Sequence, residues 1–464
     1  MPATELAFLP VHQLSADLAT RRVSPVEATE AFLDRIAAQD GKLGAFVDVY
    51  GDEARLAAQA AEAAIRSGHA VGPLHGVPVA LKDLIELEGR VVTGGCRAWR
   101  ERRATRTATL ARRLIAQGMI VLGKTHTVEF AMGGWGTNSV LGTPWNPWDP
   151  DRRRTPGGSS SGSGVAVAAG LAPWAVGSDT GGSVRLPASW CGITGLKTTI
   201  GRISTHGVLP LSPTLDTPGP MARCVEDAAL LYLAMQGPDP LDPRTLRLPF
   251  TDPMPTLRLG VRGLRLARMP EGEREYASKE VLAAYDRSLA ELEALGAEVV
   301  AVKLPFNFAD VAAANLLIMA AESYTILHEL IDDERAPLDP HVRPRIAAGR
   351  AVTARAYIEA LQQREAMKLA FGSAMEGIDA LLTPTTMTTA LPLEDVDQGK
   401  APAHFTRFGN FLDLCALALP NGQGEGGLPT SLQIVCRGYD EAMALRIGWA
   451  YENATEWHRR RPPG

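Results

Sequence analysis

Thr155-Pro156-Gly157-Gly158-Ser159-Ser160-Ser161-Gly162-Ser163-Gly164 opens a stretch that runs on through Gly177-Ser178-Asp179-Thr180-Gly181-Gly182-Ser183-Val184-Arg185-Leu186-Pro187 and ends at Lys197. Two Gly-Gly-Ser triplets lie 24 residues apart within it. Glycine beside serine lets the backbone turn sharply and come close to another group. Doing so twice reads as two hydroxyls delivered to one place. Gly/Ser richness also marks flexible linkers. The segment between the triplets, Val165-Ala166-Val167-Ala168-Ala169-Gly170-Leu171, is apolar and predicts burial, which a linker would not contain.

Outward from this stretch, helix and strand signals alternate. Ser24-Pro25-Val26-Glu27 is a capping box with proline at the first helical position and predicts a helix to about Ala38. Asp52–Ser67 and Thr107–Gln117 read as helices, and Gly76–Asp83 and Met119–Leu122 as short strands, the first ending in Lys82. Lys124–Pro147 reads as a loop region containing Ala131-Met132-Gly133. Val225–Met235 is predicted helical, and Leu241–Pro255 is a proline-rich excursion. Strands are expected at Leu257–Val261, Glu298–Val302, Ala380–Pro384 and Thr430–Val435. Helices are expected at Lys279–Leu295, Phe308–Leu330, Ala351–Met375, Phe408–Ala418 and Asp440–Asn453, before a basic, mobile tail from His458 to Pro463. Such alternation predicts an α/β protein with helices on both faces of a sheet.

Composition excludes several classes. Apolar residues make up 45% and charged residues 21% of 464, ordinary for a soluble globular chain. A net charge of -5 gives no basis for nucleic acid binding. The basic cluster from Arg97 to Arg113 reads as a solvated helix face. Five scattered cysteines without a Cys-x-x-Cys pair predict free thiols in a cytoplasmic setting, not a disulfide framework or a zinc site. The opening residues lack a signal-peptide pattern, and Gly164–Gly177 is too short and interrupted to span a bilayer, so no membrane association is expected.

The chemistry narrows by elimination. Gly158-Ser159-Ser160-Ser161-Gly162 matches Gly-x-Ser-x-Gly by letter, but a nucleophile elbow needs a strand leading in. The lead-in here, Trp148 to Arg154, is polar and broken by proline. No His-Glu-x-x-His and no phosphate-binding loop ending in Gly-Lys-Ser/Thr is present, and the nine histidines form no ligand cluster in sequence. Serine with lysine remains, a known pairing of nucleophile and base. Lys82 follows an apolar run, which predicts a buried amine able to act as a base. The alternative is a surface lysine extending from a strand end.

These residues resemble the amidase signature hydrolases. The likeness rests on Gly76-Val77-Pro78 with Lys82-Asp83, Gly157-Gly158-Ser159-Ser160, Gly177 to Arg185, Cys191-Gly192-Ile193-Thr194-Gly195-Leu196-Lys197 and Leu215-Asp216-Thr217-Pro218-Gly219-Pro220-Met221-Ala222. It resumes at Gly427-Leu428-Pro429 and Leu432-Gln433-Ile434-Val435. The resemblance implies an amidase signature fold in one domain over 1–464, with a mixed sheet. Its signature core spans about 74–240, a variable substrate-shaping region about 241–383, and a return to the core about 384–455. It implies Ser183 as nucleophile, Ser159 as bridging serine after a cis peptide bond from Gly158, and Lys82 as base. Backbone groups of Thr180, Gly181, Gly182 and Ser183 would form the oxyanion hole. Ala131, Met132 and Gly133 would touch substrate, and Gly158, Asp179 and Arg185 would support the site. Ser161 departs from the glycine many members carry. No metal or organic cofactor is implied.

The implied substrate is a small-molecule amide, carbamate or urea-like compound, hydrolysed through an acyl-enzyme by a monomer or homodimer, with esters as further candidates. Phe411-Leu412-Asp413-Leu414-Cys415-Ala416-Leu417-Ala418-Leu419-Pro420 resembles allophanate-hydrolase-type members more than the amidotransferase subunit. An amidotransferase subunit passing ammonia to a partner, and a catalytically silent scaffold, are the alternatives.

Overall fold

The apolar run after Gly76 forms a fully buried strand in the computed structural model, which describes residues 3–463. Met1 and Pro2, part of the opening segment read for a signal peptide, lie outside the described residues. The strands are β1 (Phe46–Val49), β2 (Pro78–Lys82), β3 (Ile120–Thr125), β4 (Trp174–Asp179), β5 (Thr194–Lys197), β6 (Thr217–Ala222), β7 (Arg265–Arg268), β8 (Glu298–Ala301), β9 (Ala380–Pro384), β10 (Cys415–Gln423) and β11 (Pro429–Cys436). They form one sheet in the order β1-β3-β2-β4-β6-β5-β10-β11-β9-β7-β8. β3, β2 and β4 run parallel, as do β9, β7 and β8, and the pairs between β4 and β9 are antiparallel. The sheet is therefore mixed, and helices including Ser161–Ala168, Arg185–Cys191, Val225–Met235 and Glu441–Thr455 pack along it.

Local chemistry explains most boundaries. Ser24 Oγ accepts from the Glu27 N–H at 3.0 Å, and Glu27 accepts from the Ser24 N–H at 2.8 Å, closing the capping box. That helix runs to Leu43, beyond the expected Ala38, and stops where Gly44 turns left-handed at φ 60°. The segment between the Gly-Gly-Ser triplets is buried as expected, first as the helix Ser161–Ala168 and then as β4.

Three expectations fail. Leu257–Val261 is not a strand. Met254–Leu257 is a short helix opened by Pro253 and Pro255, and the strand forms at Arg265–Arg268, past Gly260 and Gly263. The expected helix at Phe408–Ala418 splits. Arg407–Phe411 is one helical turn, Asp413 takes a positive φ of 55°, and the apolar remainder becomes β10, paired on both sides. A short continuous apolar run fits a buried strand or a buried helix equally well by pattern. The basic cluster at 97–113 is largely loop, with Arg102 and Arg106 both on buried Glu86, and its helix begins only at Thr109. In the largely exposed tail, Trp457–Arg459 is a helical turn and the Arg461 guanidinium lies 4.5 Å from the Phe8 ring centre.

Among the described residues one helix, Phe308–Asp332, is long and apolar enough to cross a membrane by length and composition. Here it buries Phe308, Val311, Ile318, Leu327 and Ile331 within the protein.

Candidate active site

β2 and β4 are parallel neighbours, with Ala80 opposite Ala175 and Leu81 opposite Val176, so Lys82 and Asp179 end their strands at the same edge of the sheet. Ligand sites in α/β proteins form outside such carboxyl ends. Ser159, on the loop before the helix Ser161–Ala168, reaches this edge. Lys82 Nζ donates to Ser159 Oγ at 2.7 Å and to Ser178 Oγ at 2.9 Å, and all of these contacts are buried. The peptide bond between Gly158 and Ser159 is cis. A Cβ on Gly158 would stand 2.6 Å from the Gly136 backbone nitrogen, so only glycine fits.

Three buried lysines approach this end of the sheet, and their partners separate them. Lys124 lies 3.6 Å from Asp83. Lys197 donates to the Leu414 carbonyl, and burial with the Arg185 charge pushes it down to about 8. Among the described residues the Lys82 amine bonds only to hydroxyls. Burial lowers its pKa to about 7, against the upward pull of Asp179 and Asp216. Of the three, it alone pairs with the serines.

The loop after β4 is held by one buried ion pair. Arg185 Nε and Nη2 donate to Asp179 Oδ2 and Oδ1 at 3.0 and 2.9 Å. Its remaining N–H groups reach the Thr406 carbonyl, Gln433 Oε1 and Asn410 Oδ1 at 2.8, 2.7 and 2.6 Å. All five guanidinium donors are thereby used. Asp179 also accepts from the N–H groups of Gly182 (2.7 Å) and Val184 (3.1 Å). Arg185 and these donors hold its carboxyl well below the usual range despite burial. Gly182 has a φ of 139°, and a Cβ there would meet Thr406 Oγ1 at 2.4 Å.

Of the four expected oxyanion donors, Gly182 is therefore already committed to Asp179. The N–H groups of Gly181 and Ser183 find no acceptor among the described residues. Thr180 contributes its hydroxyl to Asp216 Oδ1 at 2.5 Å. Burial raises the Asp216 carboxyl to about 6, although Thr180 and two backbone N–H groups bond it.

Ser183 is 7% exposed and opens on a cavity of about 260 Å³. Ala131, Met132 and Gly133 line the same cavity, as do Leu316 and Met319 from the long helix and Arg345 and Arg407. The wall thus continues past residue 383 into 398–407, beyond the region expected to shape the pocket. No hydrogen bond joins the Ser159 and Ser183 hydroxyls among the described residues; the Ser160 N–H donates to the Ser183 carbonyl at 3.2 Å. Ser161 is buried and its hydroxyl lacks a partner among the described residues. Another cavity, of about 570 Å³ between the N-terminal segment and the tail, contains none of the expected site residues. Beside it, His12, Cys224 and Asp227 come within 4.8 Å of one another, a cluster the sequence does not suggest.

Ser178 and Asp216 lie inside the quoted motifs without an expected role. Arg345 and Arg407 carry no motif; their only sequence signal is cationic character next to apolar runs.

The family model for Amidase matches residues 27–445. The chain is 37% identical over 484 residues to the A subunit of glutamyl-tRNA(Gln) amidotransferase from Moorella thermoacetica, covering 99% of each. In structure it is similar to the native peptide amidase of Stenotrophomonas maltophilia, at TM-score 0.87 and 31% identity over 98% of both chains. It is also similar, at TM-score 0.90 and 32% identity over 96% of this chain and 98% of the other, to a structure described as a vestigial protein complex bearing on the origins of an s-triazine catabolic enzyme. The mixed sheet, the ordered motifs and these full-length likenesses place the chain in the amidase signature family.

Proposed function

We propose that this protein is a serine amidohydrolase that cleaves a small-molecule amide, or a related carbamate or urea-like bond, through an acyl-enzyme on Ser183. The observation that carries this reading is the buried 2.7 Å contact between Lys82 Nζ and Ser159 Oγ, made by a lysine with no carboxylate in contact. With its pKa near 7, Lys82 is substantially neutral at physiological pH. It takes the Ser159 proton as Ser159 takes the proton of Ser183. Ser183 attacks the carbonyl carbon, and the C–O bond forms as the carbonyl becomes an oxyanion. The N–H groups of Gly181 and Ser183 receive that charge, with Thr180 as a further candidate; one such donor is worth roughly 3–4 kcal/mol. The proton returns through Ser159 to the departing nitrogen, the C–N bond breaks, and water releases the acyl group by the same relay in reverse. Asp179 and Arg185 keep the loop in register. Free thiols at all five cysteines suit a reducing compartment such as the cytoplasm. The chain acts as one catalytic unit, since a single sheet takes strands from its first and last thirds.

A fluorophosphonate probe tests this. It should label wild type on Ser183 and leave Ser183→Ala unlabelled, and the variant should lose amide hydrolysis while keeping its melting temperature. A folded Ser183→Ala protein with wild-type turnover would refute the assignment.

The 37% full-length identity to one component of an amidotransferase favours a second reading, a protein that works with partner polypeptides. Turnover of simple amides by the isolated chain supports the free-standing hydrolase. Activity that appears only with a second polypeptide supports the amidotransferase component.

A further inference from the structure

Arg407 is a half-buried cation without a counter-charge. It lines the Ser183 cavity and makes no side-chain hydrogen bond or ion pair among the described residues. Arg345, on the same wall, donates to the carbonyls of Met132 (3.1 Å) and Gln398 (2.5 Å) and likewise meets no carboxylate. The cavity lining holds three basic side chains, Arg345, Lys400 and Arg407, and no acidic one. Buried charges are ordinarily paired, and a planar guanidinium matches a carboxylate through two parallel N–H bonds.

Position adds to charge. A Cβ on Gly181 would stand 3.5 Å from Arg407 Cγ and 3.8 Å from Asn315 Oδ1, which places both side chains against the loop that ends in Ser183. Asn315 is fully buried, and neither its amide nitrogen nor its oxygen has a partner among the described residues. Leu186, Leu211, Leu316 and Met319 supply apolar lining to the same cavity.

We propose that Arg407, with Arg345 beside it, is an anion subsite, and that the substrate class is small amides carrying a carboxylate a few bonds from the scissile carbonyl. This deepens the amidohydrolase reading and rests on it. Burial and the Arg345 charge push the Arg407 guanidinium down to about 10, so it stays protonated at neutral pH. At about 260 Å³ the cavity suits a short molecule.

The test compares kcat/KM for the monoamides of succinic and glutaric acid, and for N-acetylglycine, with neutral butanamide, pentanamide and N-methylacetamide. Wild type should prefer at least one carboxylated partner by roughly a hundredfold. Arg407→Gln should lose that preference, its kcat/KM falling far more for the carboxylated amides than for the neutral ones, and Arg407→Lys should recover part of it. No preference in wild type, or an equal loss for charged and neutral amides in Arg407→Gln, would overturn the proposal. Should Arg407→Gln fail to fold, wild type alone decides: glutarate should slow fluorophosphonate labelling of Ser183, and glutaramide should not. Equal protection by both overturns it. Absence of both labelling and amide turnover would sink the hydrolase reading instead; stabilisation by glutarate over glutaramide in a thermal melt then supports the anion subsite, and equal melts overturn it.

Discussion

Replacing Lys82 with methionine keeps the length and apolar stem of the side chain and removes its titration. The pKa of Lys82 falls from 10.5 to about 7 through burial. At about 1.36 kcal/mol per unit, holding this amine in the fold costs about 5 kcal/mol wherever it is protonated in both states, below about pH 7. Between about 7 and 10.5 the unfolded chain keeps the proton and the folded chain does not. Stability therefore rises with pH through that window, by about 1.4 kcal/mol per unit, and the cost vanishes above it. Urea denaturation of wild type and Lys82→Met at matched pH isolates this contribution, because Lys197, the cysteines and the tyrosines titrate in both proteins and cancel. From pH 7 to 9 wild type should gain roughly 2–3 kcal/mol on the variant. Lost hydrogen bonds to Ser159 and Ser178 add a pH-independent offset only. A difference flat to within about 0.5 kcal/mol would mean that Lys82 carries an ordinary pKa, and its role as base would fall with it.

Activity should follow the same group: log kcat/KM for a non-ionising amide should rise with pH to a plateau with an inflection near 7, and a profile without that inflection would contradict the assignment. Ser178→Ala removes an acceptor that favours protonated Lys82, so that inflection should move to lower pH by up to about one unit; an alkaline shift would refute the account. Lys82→Ala should depress hydrolysis of an amide more than that of a matched activated ester, whose leaving group needs less protonation, as rates on the pair would reveal. Arg185→Lys should destabilise the fold by roughly 3–5 kcal/mol in urea melts, since one ammonium cannot serve Asp179, Asn410, Gln433 and the Thr406 carbonyl together.

The elements that can be read from the chain are those whose signals are local. The Ser24 capping box, the bounds of Val225–Met235 and the strand ending at Lys82 each follow from a few adjacent residues. So does the juxtaposition of two Gly-Gly-Ser turns, since close-approach glycines announce themselves by composition. β10 cannot be read that way. Its Ala/Leu alternation becomes a strand because β5 and β11 flank it, and those partners are set by the whole sheet. The misplaced strand near Leu257 has a smaller cause, glycines at Gly260 and Gly263 that shift the chain past an apolar run of the right composition. The motif has Gly182 offering its N–H to an oxyanion; that Asp179 turns back to accept it is a tertiary fact. Arg345 and Arg407 are invisible in the sequence because a pocket cation has no motif, only a location.

The five bonds of Arg185 also set a timetable. Its acceptors beyond Asp179 arrive 221, 225 and 248 residues later in the chain, at Thr406, Asn410 and Gln433. At roughly 5–20 residues per second of synthesis, Gln433 follows Arg185 out of the ribosome after roughly 12–50 s. Through that interval Ser159, Ser183 and Lys82 have all been made, but the guanidinium that locks their loop still depends on water for three of its partners. The proposed acyl-transfer centre is thus encoded in the first half of the chain and framed by the second, so a nascent or truncated polypeptide carries Lys82, Ser159 and Ser183 without the partners that hold Arg185.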